Sequence, residues 1–518
     1  MSAFEKATMM RRRTLLTGAG GVALLAGLSG CSSGSTSDQN STTANRAVTL
    51  PNYLPVEGAP PDFPGTPEGV ESAYESFPQQ RKTTVPDRPG SGKDSITGLV
   101  ITYAAIPPSA DRNSYWQGLN ERLGLTLDLQ MSSFADYPQK FATTIAGNEL
   151  PDMMLTQSIK NFPELLERQF APLDEYLGGD AIKDYPNLAN IPTATWRSVV
   201  YNGKLFGLPV PRGLVANYHF VRADLFEAAG VSAEPESFDE LVEAGQALTD
   251  PRRRRWAYGT ILQPRALLAR MNEEPNVWRN DEGRFTHTYE TDEYKRSVSD
   301  LIQLWKSGVL HPDAFNPSQP FKQLFAAGIV AINANDGYQG WNAYQADNRE
   351  NPSFKLGLLQ VPKRDGGGIA PWALGSGSFG MTSITKADPE RIKLCLRLAN
   401  YLAAPFGSEE YYYLLYGQEG VDHTLDGQGN PSLTKQGRDN TAVQSRYLGD
   451  APKAIYTPGR PEDAKIQHDY QSMAISAGVP NPAVGLFSNT AAGENANADR
   501  NFLDNVNDLI QGRRPTPT

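Results

Sequence analysis

Cysteine is nearly absent from this chain of 518 residues: Cys31 and Cys395 are the two. One stands near the N-terminus and the other in an apolar stretch with helical spacing. No structural disulfide is therefore expected, and the chain can live in an oxidising compartment without using it. Histidine is also scarce, and His219, His287, His311, His423 and His468 are scattered. With no H-E-x-x-H or C-x-x-C spacing, no metal centre is expected. No G-x-S-x-G elbow and no Walker loop occur. Asp281-Glu282-Gly283 and Asp426–Asn430 are turn chemistry without EF-hand spacing. No catalytic residue and no cofactor follow from these patterns, although paired carboxylates for glycoside cleavage are brought together only by folding. Positive charge is in deficit, at a net −10, which argues against a nucleic-acid partner.

The apolar run from Leu15 to Leu28 is shorter than the ~20 residues a bilayer crossing needs. It follows Arg11-Arg12-Arg13 and ends in Leu28-Ser29-Gly30-Cys31. That order resembles a lipoprotein leader with its lipobox, cleaved so that an acylated Cys31 becomes the first residue. The run Arg12-Arg13-Thr14-Leu15-Leu16 also resembles a twin-arginine export signal. Residues 1–30 thus read as a signal peptide, and location on the extracytoplasmic face of the membrane follows. Residues 31–95 read as a serine-rich tether and a Pro/Gly-rich extension, in which Tyr53, Leu54, Phe63, Tyr74 and Phe77 suggest a segment draped over the folded body.

Hydrophobic residues make up 39% of the chain, an ordinary globular share, and the length calls for more than one core. Strand and helix signals alternate from Leu99 onward. Leu99–Tyr103 is a buried-strand run, and Tyr115, Trp116, Leu119 and Leu123 recur at helical spacing. Leu125, Leu127 and Leu129 alternate at strand spacing. Ser237 and Glu240 form a capping box, and Asp388-Pro389-Glu390 starts a helix striped by Ile392, Cys395, Leu396 and Ala399. Alternation of this kind predicts α/β layers with mainly parallel sheets.

Six stretches then resemble one family: Gly147–Asp152, Phe170–Asp174, Tyr201–Pro209, Val221–Val231, Phe325–Ile332 and Tyr416–Gly420. In this order they resemble the extracellular solute-binding proteins of carbohydrate ABC importers, the maltose-binding-protein class, and more closely the oligosaccharide-binding lipoproteins of Gram-positive bacteria. Ile329 departs from the family's usual Lys. The resemblance implies a two-lobe, periplasmic-binding-protein-like α/β fold with a hinge. Lobe 1 would hold 96–212 and 370–410, and lobe 2 would hold 213–369 and 411–518. The chain would cross near Pro209–Arg212 and return near Pro362–Trp372. A sugar or oligosaccharide would be captured in the cleft by hinge closure and delivered to ABC permease subunits by a monomeric, non-enzymatic protein. A secreted surface enzyme acting on glycosides and a peptide-binding importer component are the alternatives.

Sugars present apolar ring faces and polar edges, so their sites combine aromatic platforms with planar polar groups. Trp341 follows the polar loop Asn333–Gly340, and Trp372 follows a glycine-rich stretch at the expected second crossing. They are expected as platforms on opposite sides of the cleft. Arg212 and Asn217 flank the first crossing and are expected to donate hydrogen bonds; Asp336 and Glu419 are expected to accept them. Trp116 and Trp305 lie on helical apolar stripes and read as core.

Overall fold

The computed structural model describes residues 40–514, apart from 57 and 494. Cys31 and the leader expected before it lie outside the described residues. The strands of the two main sheets are, in chain order, β1 (Asp94–Thr102), β2 (Leu125–Ser133), β3 (Met153–Thr156), β4 (Leu208–Pro211), β5 (Asn217–Arg222), β6 (Trp256–Tyr258), β7 (Val330–Gly337), β8 (Leu356–Leu358) and β9 (Ser378–Ile384). One sheet runs β2-β1-β3-β9-β4 and the other β8-β5-β7-β6. Against the expectation of mainly parallel sheets, β9 runs antiparallel to β3 and β4, and β5 antiparallel to β8 and β7, because strands from after the crossings enter each sheet in the opposite sense.

Local sequence accounts for the opening unit. β1 and β2 pair in parallel along their whole length, from Asp94 opposite Leu125 to Thr102 opposite Ser133. In β2 the leucines Leu125, Leu127 and Leu129 are buried and their neighbours exposed, the period-two pattern of a strand with one face on the core. The helix between them, α1 (Ser114–Leu123), begins where the Asn113 side chain accepts the Trp116 amide at 3.1 Å, and ends at Gly124 with φ 62°. Its buried face is the expected one, Tyr115, Trp116, Leu119 and Leu123. Further on, the Ser237 hydroxyl accepts from the Glu240 amide, but Glu240 reaches back to the amide of Glu236 rather than Ser237, so the box is offset by one residue.

Each sheet has its own core. The first joins Ile96–Val210, Met381–Tyr413 and Val443–Leu448. The second joins Val215–Trp372 with Tyr470, Ala474, Val506 and Ile510. The chain passes between them after β4, and Leu374–Gly377 carries it back into β9. These two crossings are bonded to each other: the Arg212 amide donates to Gly377 O at 2.9 Å and the Gly375 amide to Leu214 O at 2.8 Å. Gly377 sits at φ 75°, a conformation that only glycine takes freely.

Two expected boundaries move, and one unexpected crossing is added. Pro362–Trp372 is not the return crossing, because Ala370 and Trp372 are buried in the second core and Gly366–Gly368 turn a hairpin that pairs Pro362 with Ile369. The return lies a few residues later, at Leu374–Gly377. The stretch 411–448 does not join lobe 2, since Tyr413, Val443, Tyr447 and Leu448 complete the first core. A further crossing near 450–457 takes the chain to Glu462–Ser476, whose Tyr470 and Ala474 belong to the second core.

The extension is a strap. Pro51 bridges Gly179, Ala73–Tyr74 pairs in parallel with Ile455–Tyr456, and Phe77 packs among Phe406, Tyr412, Tyr416 and Tyr456. Of the apolar residues that interrupt this stretch, Tyr74 and Phe77 are buried against the body and Leu54 and Phe63 half-buried, whereas Tyr53 is exposed.

Candidate functional site

Thr102 and Ser133 end adjacent parallel strands in register, so the residues that follow them emerge side by side. These are Tyr103 and Phe134. The Phe134 amide donates to Thr102 O at 3.0 Å, which fixes the two backbones. Their rings stack with centroids 4.8 Å apart at 23°, and the residues are 60% and 52% exposed. Two large aromatic faces left open together are costly in water and mark a surface built to be covered. They also stand outside the carboxyl ends of parallel strands, where open α/β sheets bind ligands.

A charged corner lies beside them. The Tyr103 phenol is held above its ordinary pKa by partial burial and by Tyr447, while the charges of Arg212 and Arg446 pull it down. The Arg212 guanidinium lies 5.2 Å over Phe379 and 5.9 Å over Tyr447, and it pairs with Asp450 at 3.1 Å. Lys453 shares the same Asp450 oxygen. Burial pushes the Lys453 ammonium down to about 8, with Asp450 opposing the shift. Glu71, brought here by the strap, has its carboxyl pushed up by burial, with Gln471, Lys453 and Arg212 pulling the other way. Its Oε2 accepts from Gln471 Nε2 at 2.9 Å, and that nitrogen also donates to the Tyr218 hydroxyl. Its Oε1 is buried without a partner. A Cβ on Gly213 would stand 2.6 Å from that oxygen, so the first crossing must be bare here.

This corner opens into a cleft of about 450 Å³. One wall is Tyr338, Gln339 and Asn342, which follow β7 in the second lobe. The other is Tyr411, Leu414, Tyr416, Gln444 and Arg446 from the first, with Asp450, Lys453 and Tyr456 along the last crossing. The cleft offers planar amides, phenols and a fixed charge cluster between the lobes. Such a surface can hold a polyhydroxylated ring and read its edges. Among the described residues no group of three or more side chains suited to a metal ion occurs.

The expected site residues scatter. Arg212 lies in the charged corner. Asn217 is half-buried at the start of β5, its amide 3.4 Å from Asn335 Oδ1 and its backbone opposite Gly337, beside the cleft wall. The remaining four lie elsewhere. Trp341 is 1% exposed and donates its indole N–H to Asp463 at 2.7 Å. Trp372, also 1% exposed, lies between Arg270 at 4.0 Å, His219 and Tyr470. Both belong to the second core, so they do not face each other across a cleft. Asp336 is buried as the acceptor of Asn333, Tyr344 and Lys322 and holds a loop together. Glu419 is exposed in a separate depression of the first lobe, with Arg81 and Arg122.

Sequence reasoning missed Tyr103, Phe134, Phe379, Arg446 and Lys453. Tyr103 was expected as the end of a buried run, but the strand stops at Thr102 and the ring is exposed. Phe134 lies beyond the last of the alternating leucines, so the local pattern marked neither. The others come together only through the crossings.

The family described as bacterial extracellular solute-binding protein matches residues 107–390. The chain belongs to this family. Its place is therefore outside the cytoplasm. It is 24% identical over 431 residues, 77% of this chain and 82% of the relative, to the polygalacturonan/rhamnogalacturonan-binding protein YtcQ of Bacillus subtilis strain 168. Solved structures share its fold. The alginate-binding protein AlgQ2 without calcium superposes with a TM-score of 0.55 at 14% identity, over 84% of this chain and 94% of that one. An HMO-binding ABC-transporter solute-binding protein of Bifidobacterium longum infantis gives 0.55 at 15% identity, over 81% and 91%. The N-glycan transport protein NgtS of Streptococcus pneumoniae gives 0.55 at 15%, over 80% and 90%. The two-lobe, hinged architecture is that of extracellular solute-binding proteins.

Proposed function

We propose that this protein captures an oligosaccharide between its lobes and presents it, chemically unchanged, to the permease of an ABC importer. The observation that carries the reading is the open, stacked Tyr103–Phe134 pair beside a cleft of mixed phenol, amide and charge. The family membership and the ligand named for the curated relative support it. We further propose that the protein works as a monomer tethered through an acylated Cys31, on the strength of the n-region, apolar run and Leu28-Ser29-Gly30-Cys31 order.

Calorimetry against a panel of plant and host oligosaccharides tests the reading. One of them should bind saturably, raise the melting temperature and be recovered intact. Tyr103→Ala and Phe134→Ala should each weaken that binding by roughly tenfold or more with little change in the ligand-free melt. Steady release of shortened sugar would move the protein to the glycoside-acting class. Cys31→Ser should leave the protein unlipidated and off the membrane; a variant still acylated would refute the anchor.

A further inference from the structure

We infer that the cleft selects sugars bearing a carboxylate, and that Lys453 and Arg446 are the residues that read its charge. The inference rests on the carbohydrate reading above and sharpens it.

The argument is one of charge balance. The chain as a whole is acidic, at −10, yet one corner of its cleft gathers Arg212, Arg446 and Lys453. The carboxylate in direct contact there is Asp450, and it is already divided between Arg212 at 3.1 Å and Lys453. Arg446 has no carboxylate partner among the described residues; its guanidinium lies 5.3 Å over the Tyr447 ring and lines the cleft. Glu71 is the further acid that faces Lys453 and Arg212 among the described residues. Its carboxyl is pushed up by burial, and one of its oxygens is bonded to Gln471 rather than to any cation. Two of the three cations, Arg212 and Lys453, are largely buried and share one carboxylate while Arg446 is exposed beside them, so entry of an anion is favourable here.

A neutral ligand would leave that excess standing, whereas a carboxylate would complete it. The planar fork of Arg446 suits two-point contact with a carboxylate, and the ammonium of Lys453 acts as a point charge beside it. Tyr103 feels the charges of both Arg446 and Arg212, so a ring laid on the aromatic pair would bring its substituents to this corner.

The pH dependence has a definite sign. Lys453 is faced by Asp450, Arg212, Arg446 and Glu71, and burial pushes its ammonium down to about 8 in the absence of ligand. A bound carboxylate would hold the proton more tightly. Affinity for an acidic sugar should therefore fall as pH rises through about 8. Affinity for a neutral one should not.

The test uses a trigalacturonate and the same trisaccharide with its carboxyls methyl-esterified, titrated calorimetrically at low salt. The acid should bind at least about tenfold tighter, with a preference that shrinks in high salt. Arg446→Gln, at an exposed position, and Lys453→Met should each weaken acid binding by about tenfold more than they weaken ester binding. Equal affinity for acid and ester, or equal loss of both in the variants, overturns the inference. So does binding of neutral gluco-oligosaccharides alone, although the carbohydrate reading then stands. If no carbohydrate binds, both fall.

Discussion

Trp372 and Tyr103 are both large aromatics in or beside strand segments, and they do opposite things. Trp372 is sealed between Arg270, His219 and Tyr470; Tyr103 is 60% exposed. Trp372→Ala should lose about 3–5 kcal/mol of fold stability, the usual cost of emptying a buried indole site. Urea denaturation without ligand measures it. An unchanged midpoint together with lost binding would return Trp372 to the ligand surface. Burial depends on which neighbours the fold delivers, and Arg270 and Tyr470 are far from Trp372 in sequence, so the residue's surroundings were invisible from its flanks.

Glu71 shows the same dependence with a pH signature. Its folded pKa lies above the ordinary carboxylate value, so the fold binds this proton more tightly than the unfolded chain does. The cost of ionising it is absent at low pH and grows as pH rises through the raised value. Glu71→Gln should therefore melt like the parent near pH 4 and increasingly above it toward neutral pH. Thermal melts across that range check the sign, and a difference that shrinks with rising pH would contradict it.

At the scale of elements, the strap joins parts that the sequence left separate. Glu410 accepts from the amides of Thr84 and Val85 at 3.0 and 2.9 Å and from the Thr84 hydroxyl at 3.2 Å. Removing that acceptor leaves donors unpaired beside a charged-group site, and hydrogen bonds of this kind contribute about 1.5–3 kcal/mol each. Glu410→Ala should lower the melting temperature by several degrees and open the segment around residues 80–90 to protease. A melt and cleavage pattern like the parent's would mean that the aromatic cluster around Phe77 alone holds the strap. The first β-α-β unit was legible because its partners lie within about one helix of each other, and caps such as Asn113 and Gly124 are local chemistry. The Gly366–Gly368 cluster misled because a glycine turn looks the same whether it closes a hairpin or crosses between lobes.

For the whole molecule, closure is the expected response to ligand. Two crossings bonded edge to edge, one containing Gly377, can absorb a rigid-body rotation in a few dihedrals. Saturating ligand should reduce the radius of gyration in small-angle scattering without changing the molar mass. An unchanged radius would mean that the lobes are already locked, with the strap and the last crossing as the restraint.

The sequence by itself determined the α/β alternation and the apolar faces of helices such as Ser114–Leu123, which reside in short-range periodicity and capping that adjacent residues dictate. The two-lobe class was implied by the resemblance of its motifs to one family, not by that periodicity. Only the tertiary structure decided where the chain returns, that residues 443–448 complete the first core, and which aromatics remain open. It also decided that Glu71, Arg212 and the adjacent Asp450–Lys453 pair meet at one corner although long stretches of chain separate the three. Burial and charge balance are sums over neighbours in space, and the crossings, not the local sequence, choose those neighbours.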